Sequence, residues 1–307
     1  MIEIFKKTEI DFVGKRFTFF VISAVAVLIG IVAIIQIARG TSGGVNMGVD
    51  FAGGTSLSIK FTKPIGIEQA RSILSKGGVS DAELQSVPAE QRLLIRIKKE
   101  GDGKTDARVS ELLSKALPAN PFVVESSTEI GPKVGAKLQK DALLAIFLSM
   151  LGIILYIAFR FEFRFGVAAV IATFHDVLVV LGIFYLLDKE ISLLFVTALL
   201  TVAGYSLSDT VVVFDRIREN LRTKKRELLS AVINRSINEV LARTFNTNFT
   251  TFLVVGTLFF FGGEVIHDFA FAMLLGVIIG TYSSWFIASP LLIALKSEAQ
   301  LPALKKA

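Results

Sequence analysis

The sequence predicts an α-helical membrane protein with six transmembrane helices and one α+β domain after the first of them. Three observations carry this. Of 307 residues, 52% are hydrophobic, and the mean hydropathy is +0.63, too apolar for a single soluble domain. The apolar residues cluster in blocks of about 20, the length a helix needs to cross a bilayer. One segment, 40–138, breaks that pattern and alternates short strand-like and helix-like runs.

The apolar blocks are 17–38, 140–159, 165–187, 191–214, 244–262 and 267–295. The first reads as an anchor. It is too long for a cleaved export signal, and Ile37, Ala38 and Arg39 provide no small-residue cleavage site. Orientation follows from Lys and Arg in the short loops. Lys6, Lys7, Lys15 and Arg16 precede the first span, and Arg160 and Arg164 separate the second from the third. Arg216, Arg218, Arg222, Lys224, Lys225, Arg226 and Arg235 separate the fourth from the fifth, and Lys296, Lys305 and Lys306 follow the sixth. The opposite loops are poor in bases: 188–190 has one lysine between two acids, and 262–268 has Glu264 and Asp268 with no Lys or Arg. Both termini are therefore expected in the cytoplasm and 40–138 outside. The expected organisation is 1–39 as N-terminus and first helix, 40–138 as the outer domain, 139–296 as five helices, and 297–307 as a cytoplasmic tail. Near 217–241, Leu221, Leu228, Leu229, Val232, Ile233, Ile237, Val240 and Leu241 recur at helical spacing opposite a basic face. That pattern predicts an amphipathic helix lying on the membrane surface.

The outer domain has its own order. "GTSLSIKF" at 54–61 alternates as a strand does. Residues 66–77 fit a helix with Ile67, Ala70, Ile73 and Leu74 on one face, ended by Gly77 and Gly78. "AELQSV" and "RLLIRIK" read as strands joined across Pro88, 104–117 as a helix with Ala107, Leu112, Leu113 and Ala116 inward, and "FVVESSTEI" as a last strand. The order βαββαβ is the ferredoxin-like pattern. Gly53 and Gly54 follow an apolar run instead of opening a helix, so they are no nucleotide fingerprint.

Several chemistries are excluded. Without cysteine there is no disulfide, thiol nucleophile or thiolate metal site. Two histidines, His175 and His267, argue against a histidine metal centre. The net charge of +6 reads as loop topology. No basic stripe with interleaved aromatics points to nucleic acid.

The candidate functional residues are polar groups inside the spans, where a charge costs several kcal/mol unless paired or hydrated. Asp209 lies six residues before Asp215, about 9 Å deeper along a helix. Thr197, Thr201, Tyr205 and Asp209 recur every fourth residue, with Ser208 adjacent, and are expected to face the bundle interior or a hydrated path. Arg243, at the cytoplasmic start of span five, is the natural partner of Asp209, and Thr244, Asn246, Thr247, Asn248, Thr250 and Thr251 follow it. A carboxylate that meets and leaves an arginine can bind and release a proton; a fixed ion pair orienting two helices fits the same residues. His175 and Asp176 sit mid-span, with Ala168, Ala172 and Asp176 on one face; they fit either a satisfied core pair or part of a proton path. Ala272, Gly276, Gly280, Ser284 and Ala288, at strict i, i+4 spacing, form a packing seam whose partner helix belongs to this chain or another.

These stretches resemble a known family. "MGVDFAGGT" after the first span, "FEFRFG", "HDVL", "GYSLSDTVVVFDRIREN", "FGGEVIHDF" and "GVIIGTYSSWFIASP" are similar, in order and at matching topology, to the SecF subunits of the bacterial protein-export translocase, within the SecD/SecF family of the resistance-nodulation-division superfamily. The resemblance implies a six-plus-six helix pair with SecD, association with the SecYEG channel, YajC and YidC as further partners, and an unfolded exported polypeptide as cargo. It implies no ATPase activity and no cofactor, with protons as the coupling ion for late steps of export. By motif position the proton-relay residues are Asp209 and Arg243, and Asp50, Gly53, Gly54 and Thr55 form a signature loop. Where many members have Asn before the aspartate, this chain has Ser208. Competing readings are a passive assembly subunit, indifferent to charge at Asp209, and half of a small-molecule exporter. An intramembrane aspartyl protease using Asp176 and Asp209 would need the two carboxylates to share a proton, and its "YD" and "GxGD" contexts are missing.

Overall fold

Six long apolar helices form where the six blocks stand. They are α1 (Arg16–Arg39), α5 (Pro132–Arg160), α6 (Phe163–Leu186), α7 (Leu193–Thr223), α8 (Leu229–Phe261) and a broken sixth run. The last comprises α9 (Glu264–Ser283), a π-turn (Ser284–Ala288) and α10 (Ser289–Ala294). All six are long and apolar enough to cross a membrane. Between α1 and α5 lie α2 (Val49–Ala52), β1 (Gly54–Phe61), α3 (Ile67–Lys76), β2 (Ala82–Val87), β3 (Arg92–Ile97), α4 (Thr105–Ala116) and β4 (Phe122–Ile130). The structure is a computed structural model, and it describes residues 8–39, 45–79, 82–87, 91–97, 105–223 and 227–295. Lys6, Lys7, Pro88, Lys224, Lys225, Arg226, Lys296, Lys305, Lys306 and the tail 297–307 lie outside the described residues.

The chain divides into two units, 47–145 and 1–46 with 146–307. In the first, the strands form one antiparallel sheet in the order β2-β3-β1-β4, the ferredoxin-like arrangement. Leu57, Ile59 and Phe61 alternate along β1 and are at most 2% exposed. They pack with Leu93 and Ile95 of β3, Leu74 of α3, and Val109 and Leu113 of α4. The buried face of α4 is thus Val109 and Leu113, whereas Ala107 and Ala116, expected inward, are exposed. The larger Val109 offers more apolar area than either alanine, and that decides the rotation of the helix.

In the second unit α7 is the central helix, packed on α6, α8 and α9. The small-residue seam of the sixth span lies on it. A Cβ on Gly276 would strike the Val202 side chain, one on Gly280 would come 2.9 Å from Ser206 Cβ, and the Ser284 and Thr210 hydroxyls are 3.0 Å apart. Val202, Ser206 and Thr210 are also spaced by four, so the seam's partner is span four of the same chain. After Ser284 the seam leaves strict four-residue register. The helix widens into the π-turn, where the Ser289 hydroxyl donates to the Ser284 carbonyl at 2.8 Å, and Pro290 has no N–H for the α-helical ladder. A second close crossing joins α1 to α6: a Cβ on Gly30 would strike the Leu178 carbonyl, and one on Gly182 would lie 2.9 Å from the Gly30 nitrogen.

The surface helix expected near 217–241 is not one helix. Residues 217–223 end α7, and 229–241 begin α8, which continues without a break to Phe261. Its apolar face covers protein: Leu229, Ile233, Ile237 and Leu241 pack with Val213, Phe214 and Ile217 of α7 and Leu292 of α10. The polar flank is paired, with Asn220 donating to Ser236 at 2.9 Å and Arg216 Nε to Glu239 at 2.7 Å. An amphipathic face can be satisfied by lipid headgroups or by a neighbouring helix, and here the hairpin supplies the neighbour.

The segment before α1 is tied to this hairpin. Asn234 Oδ1 accepts from the Phe12 and Val13 amides at 3.0 and 2.9 Å. Asn238 pairs with both the N–H and the C=O of Ile10 at 3.0 and 2.9 Å. Phe12 meets Trp285 edge to face and lies tilted against Phe286, both in the π-turn. The Gly14 amide, then the Asn234 amide group, donate to Asp11 and hold its carboxyl below the usual 3.8, burial and Lys15 adding smaller opposed effects.

Gly30→Ala should destabilise the protein by about 1–3 kcal/mol, the usual cost of forcing atoms into a packed contact. Gly256→Ala, which meets nothing within 4 Å, should melt no lower than wild type in the same detergent. Because the folded Asp11 carboxyl lies below 3.8, its contribution is present above that pH and is lost as pH falls through the lower folded value. Amide exchange at Gly14 should therefore accelerate in strong acid, and Asp11→Asn should remove that pH dependence.

Candidate functional site

Two polar centres lie among the membrane helices, and α7 contributes to both. The first is Asp209, 7% exposed. Its partner comes from α8: the Asn248 side-chain amide donates to Asp209 Oδ2. The Tyr205 hydroxyl donates to Asn248 Oδ1 at 2.7 Å and lies 3.0 Å from the Thr251 hydroxyl. The tyrosine thus fixes which way the Asn248 amide points, and the amide presents N–H groups to the carboxylate.

The expected ion pair is not formed in this structure. Arg243 is exposed, and Asn248 takes the position facing Asp209. Five residues along a helix are about 7.5 Å of rise and about 140° of rotation, so Arg243 and Asn248 leave α8 at different depths and on different faces. The polar stripe also divides. Thr197 and Thr201 are exposed, with hydroxyls donating to the carbonyls of Leu193 and Thr197 at 3.0 and 2.8 Å. Tyr205 is half-buried and Asp209 buried, while Ser208 and Asn246 are exposed. Each four-residue step turns about 40° past a full turn, so three steps carry the stripe about 120° round the helix, from surface to interior.

The second centre is His175 and Asp176, 6% and 0% exposed. His175 Nδ1 lies 2.8 Å from Asp176 Oδ1, and Nε2 lies 2.9 Å from the Ser23 hydroxyl of α1. Asp176 Oδ2 accepts from Ser206 of α7 and from Ser283 of α9, the latter at 2.8 Å. Ser23 is 2.9 Å from the Tyr282 hydroxyl, which donates to the Phe19 carbonyl at 3.0 Å. One buried acid therefore joins four helices. Ser23, Ser206, Tyr282 and Ser283 escaped the sequence reading. Ser23 is an isolated hydroxyl in an apolar run, whereas Ser206 follows Tyr205 and Tyr282 and Ser283 stand within Thr281–Ser284, and spacing alone does not say which helices meet. Asp176 and Asp209 bond to different partners and not to each other, contrary to what a protease dyad needs. Among the described residues no three His, Asp or Glu side chains converge as metal ligands would.

The signature loop belongs to the α+β unit. Asp50 lies in α2, and the Gly53 amide closes that helix on the Val49 carbonyl at 2.9 Å. Gly53 and Gly54 have φ of 75° and 132°, a region that side chains with a Cβ avoid. The two glycines turn the chain from α2 into β1. Thr55 then enters the sheet fully buried, opposite Ile97 and Glu129.

A family model described as protein export membrane protein SecD/SecF, C-terminal, matches residues 110–298, and the SecD/SecF GG motif matches 41–65. The chain belongs to the SecD/SecF family of protein-export membrane proteins. It is 52% identical to the protein translocase subunit SecF of Thermodesulfovibrio yellowstonii, over 96% of this chain and 97% of that one. It is 41% identical to the SecF of Endomicrobium trichonymphae, over 94% of this chain and 92% of that one. Among solved structures, SecDF from Thermus thermophilus, described as a translocon-associated membrane protein, superposes with a TM-score of 0.80 at 34% identity. That match covers 94% of this chain but only 39% of the solved chain. SecDF in a super-membrane-facing form gives a TM-score of 0.67 with the same coverage. Membership of this family and the six apolar helices make the chain a multi-pass inner-membrane protein of the export pathway.

Proposed function

We propose that this chain is an accessory subunit of the Sec translocase which, paired with SecD, uses the proton motive force to promote late steps of protein export. The observation that carries the reading is Asp209: a buried acid inside a membrane helix, held by the neutral amide of Asn248 and not by a fixed cation. In this account Asp209 takes up a proton and releases it. When ionised and freed from Asn248 it draws Arg243, which stands exposed about a turn and a half away on α8. Exchange between the amide and the guanidinium shifts α8 against α7, and the continuous α8 transmits that shift to the hairpin and, through Asn234 and Asn238, to the segment before α1. The energy suffices, since one charge crossing 100 mV is worth roughly 2.3 kcal/mol.

Partnership with SecD is supported by the surface of the same helices. Thr197, Thr201, Ser208, Arg243 and Asn246 are exposed on this chain alone, at depths where a polar surface against lipid is unfavourable. A second subunit with its own polar residues would cover them. In the same reading SecYEG delivers the unfolded polypeptide, no ATP is hydrolysed by this chain, both termini and the α7–α8 hairpin face the cytoplasm, and the α+β unit faces outward.

Export into inverted membrane vesicles tests the reading, with and without an imposed proton gradient. Asp209→Asn should cut the gradient-driven part about tenfold or more, since tenfold is only about 1.4 kcal/mol of barrier, and leave the ATP-driven part intact. Gradient-driven export at the wild-type level in Asp209→Asn would contradict it.

A further inference from the structure

The hydrogen-bond chain through the second centre has a direction that can be read from its ends. The Tyr282 hydroxyl has one proton, and it is directed at the Phe19 carbonyl, which can only accept. The contact between Tyr282 and Ser23 at 2.9 Å then needs the Ser23 proton. With that proton used, Ser23 can only accept from His175, so Nε2 carries a hydrogen across the 2.9 Å contact. The remaining contact is Nδ1 to Asp176 Oδ1 at 2.8 Å. It needs one proton between the two atoms, because a bare Nδ1 facing an ionised oxygen would set lone pair against lone pair. That proton makes either an imidazolium with a carboxylate or a neutral imidazole with a carboxylic acid. Both forms carry the same number of protons and no net charge. The other oxygen of Asp176 accepts from Ser206 and Ser283 in either form.

We propose that His175 and Asp176 bind one proton between them as a net-neutral pair, a second proton site in the membrane helices that is separate from Asp209. Its ligand is a proton, and its walls come from α1, α7 and α9. The inference stands on this network and does not rest on the export reading. The elements packed against α6 are α1, α7, α9, the π-turn and α10. Among their described residues, Tyr282 is the titratable group bonded into the network. Arg16 and Arg39 stand at the two ends of α1, and the π-turn and α10 carry no charged residue. On α7, Asp209 turns to Asn248, Asp215 pairs with Arg160, and Arg216 pairs with Glu219 and Glu239. On α9, His267 and Asp268 lie at the other end, with Asp268 paired to Lys189.

Loss of the proton reverses the chain. His175 keeps one hydrogen, now on Nδ1 and donated to ionised Asp176. The Ser23 hydroxyl turns to donate to Nε2, the Tyr282 hydroxyl turns to donate to Ser23, and the Phe19 carbonyl loses its bond from Tyr282. One proton leaves from Nε2; from the carboxylic acid form the acid proton also crosses from Asp176 Oδ1 to Nδ1, and no other covalent bond to hydrogen is made or broken. Occupancy of the dyad is thereby read by span one and by the residues just before the π-turn.

Only two histidines are present, His175 and His267, so nitrogen-15 labelling of histidine in the full-length chain in lipid bilayers gives a readable spectrum, assigned with His267→Gln. The expected result is a protonated Nε2 on His175 throughout the range, about pH 5 to 8, in which a free imidazole would titrate. A bare Nε2 near neutral pH, or titration like a free imidazole, overturns the proposal. In Tyr282→Phe, Ser23 is released to donate to His175, and the Nε2 resonance should shift to the unprotonated position at the alkaline end of that range. An unchanged spectrum in that variant overturns the argument from direction. If the variant does not fold, the wild-type spectrum alone decides.

Discussion

Two aspartates inside an apolar helix bundle set the terms for the membrane unit. An acid in such a place needs hydrogen-bond donors, and the bundle provides them from different helices: Asn248 of α8 for Asp209, and His175, Ser206 and Ser283 for Asp176. Neither carboxylate is held by an arginine or lysine in this structure. A neutral donor can be exchanged for another more readily than a buried ion pair can be broken, because breaking the pair leaves an uncompensated charge.

Close packing makes this possible. Ser206 and Ser283 reach the same oxygen of Asp176 because α9 lies against α7 at Gly276 and Gly280, where a Cβ would collide. Ser23 reaches His175 because α1 crosses α6 at Gly30 and Gly182. The glycines therefore do more than allow contact between helices. They set the backbone separation at which short hydroxyl side chains can bridge. The π-turn begins directly after Ser283, so the helix irregularity and the most heavily bonded acid are adjacent in the chain.

Much of this architecture was legible in advance. The six spans follow from runs of apolar residues, and the α+β unit follows from alternation in β1 and from Gly and Pro punctuation. The seam at Gly276 and Gly280 was visible as a spacing, though not its partner. Four features were not legible for physical reasons. Arg243 is the nearest opposite charge to Asp209 in the sequence of span five, yet the helix rotation between 243 and 248 gives the position to an asparagine. The stripe from Thr197 to Asp209 looked straight, but four-residue spacing winds round the helix. The segment 217–241 has the spacing of one amphipathic helix, whereas its apolar face fits a hairpin partner as well as a membrane surface. The serines around Asp176 depend on tertiary contacts that no local pattern encodes.

The central claim is that Asp209 is held by Asn248 and not by Arg243 in the resting protein. A double-mutant cycle on thermal stability in lipid, without a proton gradient, tests it most directly. Asp209→Asn with Asn248→Ala should show a coupling of about 0.5–3 kcal/mol, as groups in contact do, and Asp209→Asn with Arg243→Gln should be additive within about 0.5 kcal/mol. Strong coupling to Arg243 with additivity at Asn248 would contradict the account.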